Sequence, residues 1–263
     1  MNKPKNIEEY ILWMDRYLKI KKLKEYKLYY EQTRDLIKKQ FIESSFWNNF
    51  NSLLPTLYDD YYLLEKHHLF FNRDHKPKVE VKEYTSFLDK TFRKNVINNK
   101  NWPEAPPNGW LTPENWFSRI NDIVRTKIVV NYLEGMNFLS TRINSFCDEN
   151  NLKFHQIPES RMDGYYAINS YFIGMNFEII EQRNGNILKI NSTIELQITT
   201  QIQDLMRGLL HNEYKKTRIQ SDNDDWVWKY KEDKFSTAYL AHMLHFAEGM
   251  IMQIMEKNKN SEE

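Results

Sequence analysis

Residues 193–215, TIELQITTQIQDLMRGLLHNEYK, place a carboxylate, an amide, a guanidinium, an imidazole and an ammonium group on one short unit. In its first half Ile194, Leu196 and Ile198 alternate with Glu195, Gln197 and Thr199, the period of a strand with one apolar and one polar face. The period then turns helical. Ile202, Leu205, Met206 and Leu209 form an apolar stripe; Gln203, Arg207 and His211 recur four residues apart on another side, with Tyr214 and Lys215 one turn beyond. A carboxylate on a strand that feeds a helix bearing His and Lys suits a metal ion with phosphates. It equally suits an ordinary strand–helix unit with a polar outer face.

Three further groups invite the same chemistry. Lys82, Ser86 and Lys90 recur every four residues, so Ser86 and Lys90 share a helix face and Lys82 sits on the strand before it. Two ammonium groups and a hydroxyl at a helix N-terminus match what a triphosphate needs. Asp122 leads into the β-branched run of residues 122–131, fit for a buried central strand. Asp163-Gly164 is a turn signal followed by Tyr165 and Tyr166, which could stack on a base or fill a core.

The elements that must position these groups follow in order. Residues 6–66 read as three helices. Ile7, Tyr10, Ile11, Met14 and Leu18 stripe the first, and Tyr29, Leu36 and Phe41 belong to the second. The third is entered at Ser44 or Ser45. A short strand at 79–82, a helix at 85–96 and a proline-rich loop at 101–115 come next, the loop long enough to be functional or an insertion. Further on are a helix at 135–149, strands at 166–180 and 187–199 joined by the Asn184-Gly185-Asn186 turn, an acidic segment at 222–225, and a last helix at 236–257. In that helix Leu240, Met243, Leu244, Met250, Ile251 and Ile254 are the apolar positions, and His242 and His245 read as surface or packing residues without an acidic partner at ligand spacing.

Composition narrows the class. Hydrophobic content of 41% with 28% charged residues is that of a folded soluble chain. Lys+Arg 37 against Asp+Glu 36 leaves no general cationic field, so any nucleic-acid contact must be a local patch. Lys19, Lys21, Lys22, Lys24 and Lys27 form one such patch, or a solvated face. The single cysteine, Cys147, excludes an intramolecular disulfide and is expected on the buried side of a helix. With no signal peptide and no apolar run of the roughly 18 residues a span needs, a cytoplasmic location is expected.

The order Lys82/Ser86/Lys90, Asp122, Gly164-Tyr165 and Glu195-x-Gln197-x-Thr199 with His211 and Tyr214-Lys215 resembles the synthetase domain of the RelA/SpoT family over roughly residues 78–216. These are ATP-dependent pyrophosphokinases that make guanosine alarmones such as ppGpp. The resemblance implies an α+β, nucleotidyltransferase-like fold, with a mixed, largely antiparallel central sheet flanked by helices and helical extensions at both ends. The expected division is a helical region at 1–75, a synthetase core at 76–218, and a linker with a final helix at 219–263. It also implies Mg²⁺ held by Asp122 and Glu195, ATP phosphates on Lys82, Ser86 and Lys90, Tyr165 on the acceptor base, and Gln197, His211 and Lys215 in support. Glu195 could also take the hydroxyl proton.

The chain departs from the family pattern where Arg usually precedes Lys82 by two residues, here Glu80; where Gly and Arg follow Asp122, here Arg125 and Lys127; and where the acceptor loop runs Gly-Tyr-Arg-Ser-x-His, here Gly164-Tyr165-Tyr166-Ala167-Ile168-Asn169. Donor machinery mostly kept with an altered acceptor side resembles the toxic small alarmone-synthetase branch, some of whose members modify the 3′-CCA end of tRNA and others make adenosine alarmones. The first expectation is therefore a tRNA acceptor held by the Lys19–Lys27 patch, with a toxin role and a protein antitoxin as partner. The alternatives are a guanine-nucleotide acceptor and an inactive nucleotide- or RNA-binding module.

Overall fold

The structure, a computed structural model, describes residues 2–20, 26–182, 184–217 and 227–262, without the side chains of 210–217 and 260–262. The helices are α1 (Ile7–Tyr17), α2 (Tyr26–Glu43), α3 (Ser45–Glu65), α4 (Tyr84–Phe92), α5 (Trp116–Arg119), α6 (Leu133–Glu149), α7 (Gln201–Thr217) and α8 (Asp233–Glu262). The strands are β1 (Val79–Val81), β2 (Val124–Val130), β3 (Lys153–Ser160), β4 (Tyr166–Ile180) and β5 (Ile187–Thr200). They form one five-stranded, mostly antiparallel sheet in the order β1-β2-β5-β4-β3, so the fold is α+β as expected. Ile194, Leu196 and Ile198 of the central β5 are fully buried. Glu195 and Thr199 on the opposite face are buried too, so that face is not the solvated one its polar residues suggested.

The chain forms two compact units, each discontinuous in sequence. The first comprises Met1–Ser44, Val79–Arg125 and Phe172–Glu195. Its α1 begins where the Asn6 side chain accepts from the Glu9 N–H at 2.9 Å, and buries Tyr10, Trp13 and Met14. Tyr84, Phe87, Leu88, Thr91 and Phe92 make the buried face of α4, with Phe87 stacked on Tyr30 at 4.2 Å and edge-on to Trp116 at 4.8 Å. The face of α2 that is covered is Tyr30, Thr33, Ile37 and Phe41; Tyr29 and Leu36 are only half-buried. The 101–115 loop is held by the fully buried Asn95. Its amide donates to the Leu111 carbonyl at 3.1 Å, and its Oδ1 accepts from the Leu111 N–H at 2.9 Å. Trp102 and Trp110 of that loop close on Trp13 at 5.2 and 5.0 Å, so the loop caps α1.

The second unit comprises Ser45–Lys78, Thr126–Tyr171 and Leu196–Glu263. Here α6 packs against α3, β3 and α8, and α7 packs along α8. Cys147 is buried on α6 as expected, and burial pushes its thiol up to about 12. Both C-terminal helices turn unexpected faces inward. On α7 Gln203 and Met206 are buried, while Leu205 and Leu209 of the apolar stripe are exposed. On α8 the buried residues are Ala238, Ala241 and Glu248, and Leu240, Met243, Met250, Ile251 and Ile254 lie at the surface. Ala238 and Ala241 let the Gly164 backbone approach α8 closely, which larger apolar side chains would prevent. Phe87→Ala is expected to cost about 3–5 kcal/mol in denaturant unfolding, and Leu205→Ala within about 0.5 kcal/mol. Similar losses at both positions would return the stripe of α7 to the core.

Candidate active site

Lys82 follows β1, and its backbone is fixed from two sides. Its N–H donates to the Ile123 carbonyl at 2.9 Å, and its carbonyl accepts from the Tyr30 hydroxyl and from Arg34 Nη1, both at 2.9 Å. The α2 helix thus sets the height at which the Lys82 side chain leaves the sheet. That side chain is 5% exposed, and its Nζ donates to Asp122 Oδ2 at 2.7 Å. Lys90 Nζ, from α4, lies 2.7 Å from Asp122 Oδ1. Ser86 is half-buried one turn before Lys90 on the same side of α4.

Burial by itself would raise the Asp122 carboxyl, but Lys90 and Lys82 outweigh it and hold the group far below the usual carboxylate range. Burial lowers the Lys82 ammonium, with Asp122 opposing. Glu195 behaves oppositely to Asp122. Buried in β5, it is raised by burial first and by the Asp122 charge second, against the pull of Lys90, Arg125 and Lys82. Two carboxylates therefore sit close enough to repel, and the same lysines act on both. Each Asp122 oxygen keeps a second lone pair beside its ammonium partner. This hard oxygen set fits a divalent ion of the Mg²⁺ kind, which Asp122 and Glu195 would hold. The ammonium groups of Lys82 and Lys90, with Ser86, suit phosphate oxygens. Burial also lowers Lys94, one turn beyond Lys90, which sequence reading did not single out.

The chain aligns over 90% of its length, and 98% of the other's, with the small alarmone synthetase 1 of Bacillus subtilis, at 14% identity and a TM-score of 0.51. A GTP pyrophosphokinase family protein of Streptococcus pneumoniae aligns over 88% of this chain and 96% of its own, at 16% identity and a TM-score of 0.53. The fold is that of the small alarmone synthetases. No family model and no curated protein matches the sequence.

Within that synthetase fold, two of the sequence departures meet. Glu80 of β1 and Arg125 of β2 form an ion pair at 3.5 Å. A guanidinium absent from β1 is thus present on the adjoining strand, and it acts electrostatically on both Glu195 and Lys82.

In the second unit Tyr165 is half-buried. Its hydroxyl donates to Asn169 Oδ1 at 3.0 Å, and the Arg161 guanidinium lies 4.5 Å from its ring centre. Asn169 is the residue standing where the family pattern has His. Gln197 accepts from Arg207 Nη1, and Asp204 holds both Arg207, at 3.3 Å, and Lys127, at 2.6 Å. Arg207 and Lys127 join the polar face of β5 through this shared carboxylate; the i, i+3 spacing of Asp204 and Arg207 was the available signal. The side chains of His211 and Lys215 fall outside the described residues, as do Lys21, Lys22 and Lys24 and the acidic 222–225 segment. Lys19 is exposed, and Lys27 pairs with Glu31 at 3.9 Å. Glu65, His67 and Glu134 also gather, with ligand atoms within 4.8 Å of one another, and Lys259 donates to Glu65 there at 3.0 Å. Among the described residues no helix is long and apolar enough to cross a membrane.

Because the folded-state carboxyl of Asp122 is depressed, its pairing adds stability that is complete above the ordinary value of 3.8 and lost as pH falls below it. Asp122→Asn should flatten the acid limb of a stability-against-pH curve. At pH 7 it should cost about 3 kcal/mol, because the buried Lys82 ammonium loses its counter-charge. An unchanged acid limb, measured by unfolding from about pH 5 down to about pH 1, would contradict this arrangement.

Proposed function

We propose that the chain is an ATP-dependent pyrophosphokinase that transfers the β,γ-pyrophosphate of ATP to a ribose 3′-hydroxyl. The observation behind this reading is the buried Asp122 carboxylate gripped by Lys82 and Lys90 beside the buried Glu195, in a small alarmone synthetase fold. In this reading Lys82, Ser86 and Lys90 bind the donor phosphates. Asp122 and Glu195 would hold Mg²⁺, which would neutralise charge on the phosphates. The acceptor oxygen bonds to the β-phosphorus as the bond from that phosphorus to the α-phosphate oxygen breaks, releasing AMP. Glu195, raised by its surroundings, is suited to hold the hydroxyl proton. Tyr165 offers the acceptor base a face, and Gln197, steadied by Arg207, supports the polar side of β5; His211 and Lys215 are assigned to the same support.

The Glu80–Arg125 pair favours an enzyme over an inert binding module, since a cation is retained near the donor residues. For the acceptor we favour the 3′-CCA end of tRNA. The altered loop, with Asn169 on the Tyr165 hydroxyl, supports this, as does the lysine patch at Lys19–Lys27, which would hold an acceptor stem by its phosphates. A toxin acting this way requires an antitoxin partner. The second reading, a guanine-nucleotide acceptor, is supported by the names of the proteins sharing the fold.

The test follows γ-labelled ATP with Mg²⁺ and GDP, GTP, ADP or deacylated tRNA as acceptor. Glu195→Gln and Asp122→Asn should each lower turnover by about 10³-fold, the scale of removing a charge-stabilising or proton-accepting group. Label on tRNA, abolished by periodate oxidation of its 3′ end and weakened by Lys21→Glu/Lys22→Glu/Lys24→Glu, supports the first acceptor. Label on GDP or GTP selects the second, and no label on any acceptor rejects the enzyme reading.

A further inference from the structure

Residues 161–165 form the turn between β3 and β4 that bears Tyr165, and α8 grips this turn at three points. Gly164 has φ +83°, and a Cβ there would lie 2.5 Å from the Ala241 Cβ and 2.9 Å from the Ala238 carbonyl oxygen. Only glycine meets both the left-handed backbone and this close approach. His242 Nε2 lies 3.0 Å from the Met162 carbonyl oxygen, and its Nδ1 lies 2.6 Å from the Tyr166 hydroxyl. A carbonyl only accepts, so Nε2 donates to Met162, while Nδ1 and the Tyr166 hydroxyl share the second hydrogen bond. One imidazole therefore ties down residues on both sides of Tyr165. The Tyr166 ring also stacks on His245 at 3.7 Å.

The face of α8 that does this runs Ala238, Ala241, His242, His245 and Glu248, spaced as one helical stripe. Its far end is anchored where Gln203 of α7 donates to Glu248 at 3.0 Å, with His245 Nδ1 3.8 Å from the same carboxylate. The expectation of no acidic partner at ligand spacing is thereby corrected for His245, which has Glu248 one turn on; His242 packs against the turn. A helix with only a covering role would bury its Leu, Met and Ile residues; α8 turns small and polar ones inward instead.

We propose that α8 is a positioning element for the acceptor. In this role Ala241 and His242 hold the 161–166 turn so that the Tyr165 ring is presented in one orientation. This rests on the reading above that Tyr165 receives the acceptor base. His242 is a positioning residue; it acts through Met162 and Tyr166.

The test uses the full chain and two readouts. In His242→Ala, amide hydrogen exchange over 161–169 should accelerate about tenfold, the scale of losing two hydrogen bonds. The KM for whichever acceptor of GDP, GTP or deacylated tRNA the wild type uses should rise by a similar factor, while the KM for ATP stays within twofold. His242→Gln, which restores a donor to Met162, should recover most of both effects, and its intact unfolding midpoint would exclude a folding defect. Unchanged exchange in His242→Ala would overturn the proposal whatever the acceptor. Faster exchange with an unchanged acceptor KM, or equal rises in both KM values, would overturn it too while leaving the pyrophosphokinase reading standing. A wild type that transfers to none of these acceptors would reject that reading, and the positioning role with it.

Discussion

A carboxylate removed from water between two ammonium groups is stable only while all three stay in place, and the first unit is arranged around that demand. Asp122 has lost most of its hydration, and Lys82 has lost nearly all of its own. Each would be costly to bury singly. Their partners come from separate places in the chain: Lys82 from the end of β1, Lys90 from α4 and Asp122 from the approach to β2. Tyr30 and Arg34 of α2 hold the Lys82 backbone, and Phe87 on the inner face of α4 locks that helix against Tyr30 and Trp116. Aromatic packing thus fixes the distance between the ammonium groups.

Glu195 shows the other consequence of the same burial. Its charged form is disfavoured by burial first and by the neighbouring Asp122 charge second. Lys90 and Lys82 outweigh burial at Asp122 and do not outweigh it at Glu195. The same imbalance pushes two carboxyl groups in opposite directions, which is how one environment equips similar side chains for different tasks.

The second unit relies on close approach more than on charge. Gly164, Ala238 and Ala241 allow the β3–β4 turn to sit directly on α8, and His242 bridges the two sides of Tyr165. Larger apolar residues of α7 and α8, among them Leu205, Met243 and Ile254, remain exposed. Rigidity at the turn comes from short contacts and paired polar groups, and these hold position more narrowly than a greasy interface of equal size.

The sequence by itself determined the element types and the donor cluster. Strict alternation in 194–199 required a strand, four-residue recurrence required the helices, and Lys82/Ser86/Lys90 had to share a side, since periodicity follows from backbone geometry alone. It also contained Asp122 and Glu195, far apart in the chain. What it could not contain was which stripe of a helix is covered, because two faces of α7 or α8 are equally periodic and only the neighbouring element selects between them. Hence Gln203 and Ala241 went inward where Leu205 and Leu240 were expected. The pairing of Glu80 with Arg125, the sharing of Asp204 by Lys127 and Arg207, and the grip of His242 on Met162 and Tyr166 were likewise decided by tertiary structure. Each depends on strand register or helix docking across many residues, where distance in space has no counterpart in spacing along the chain.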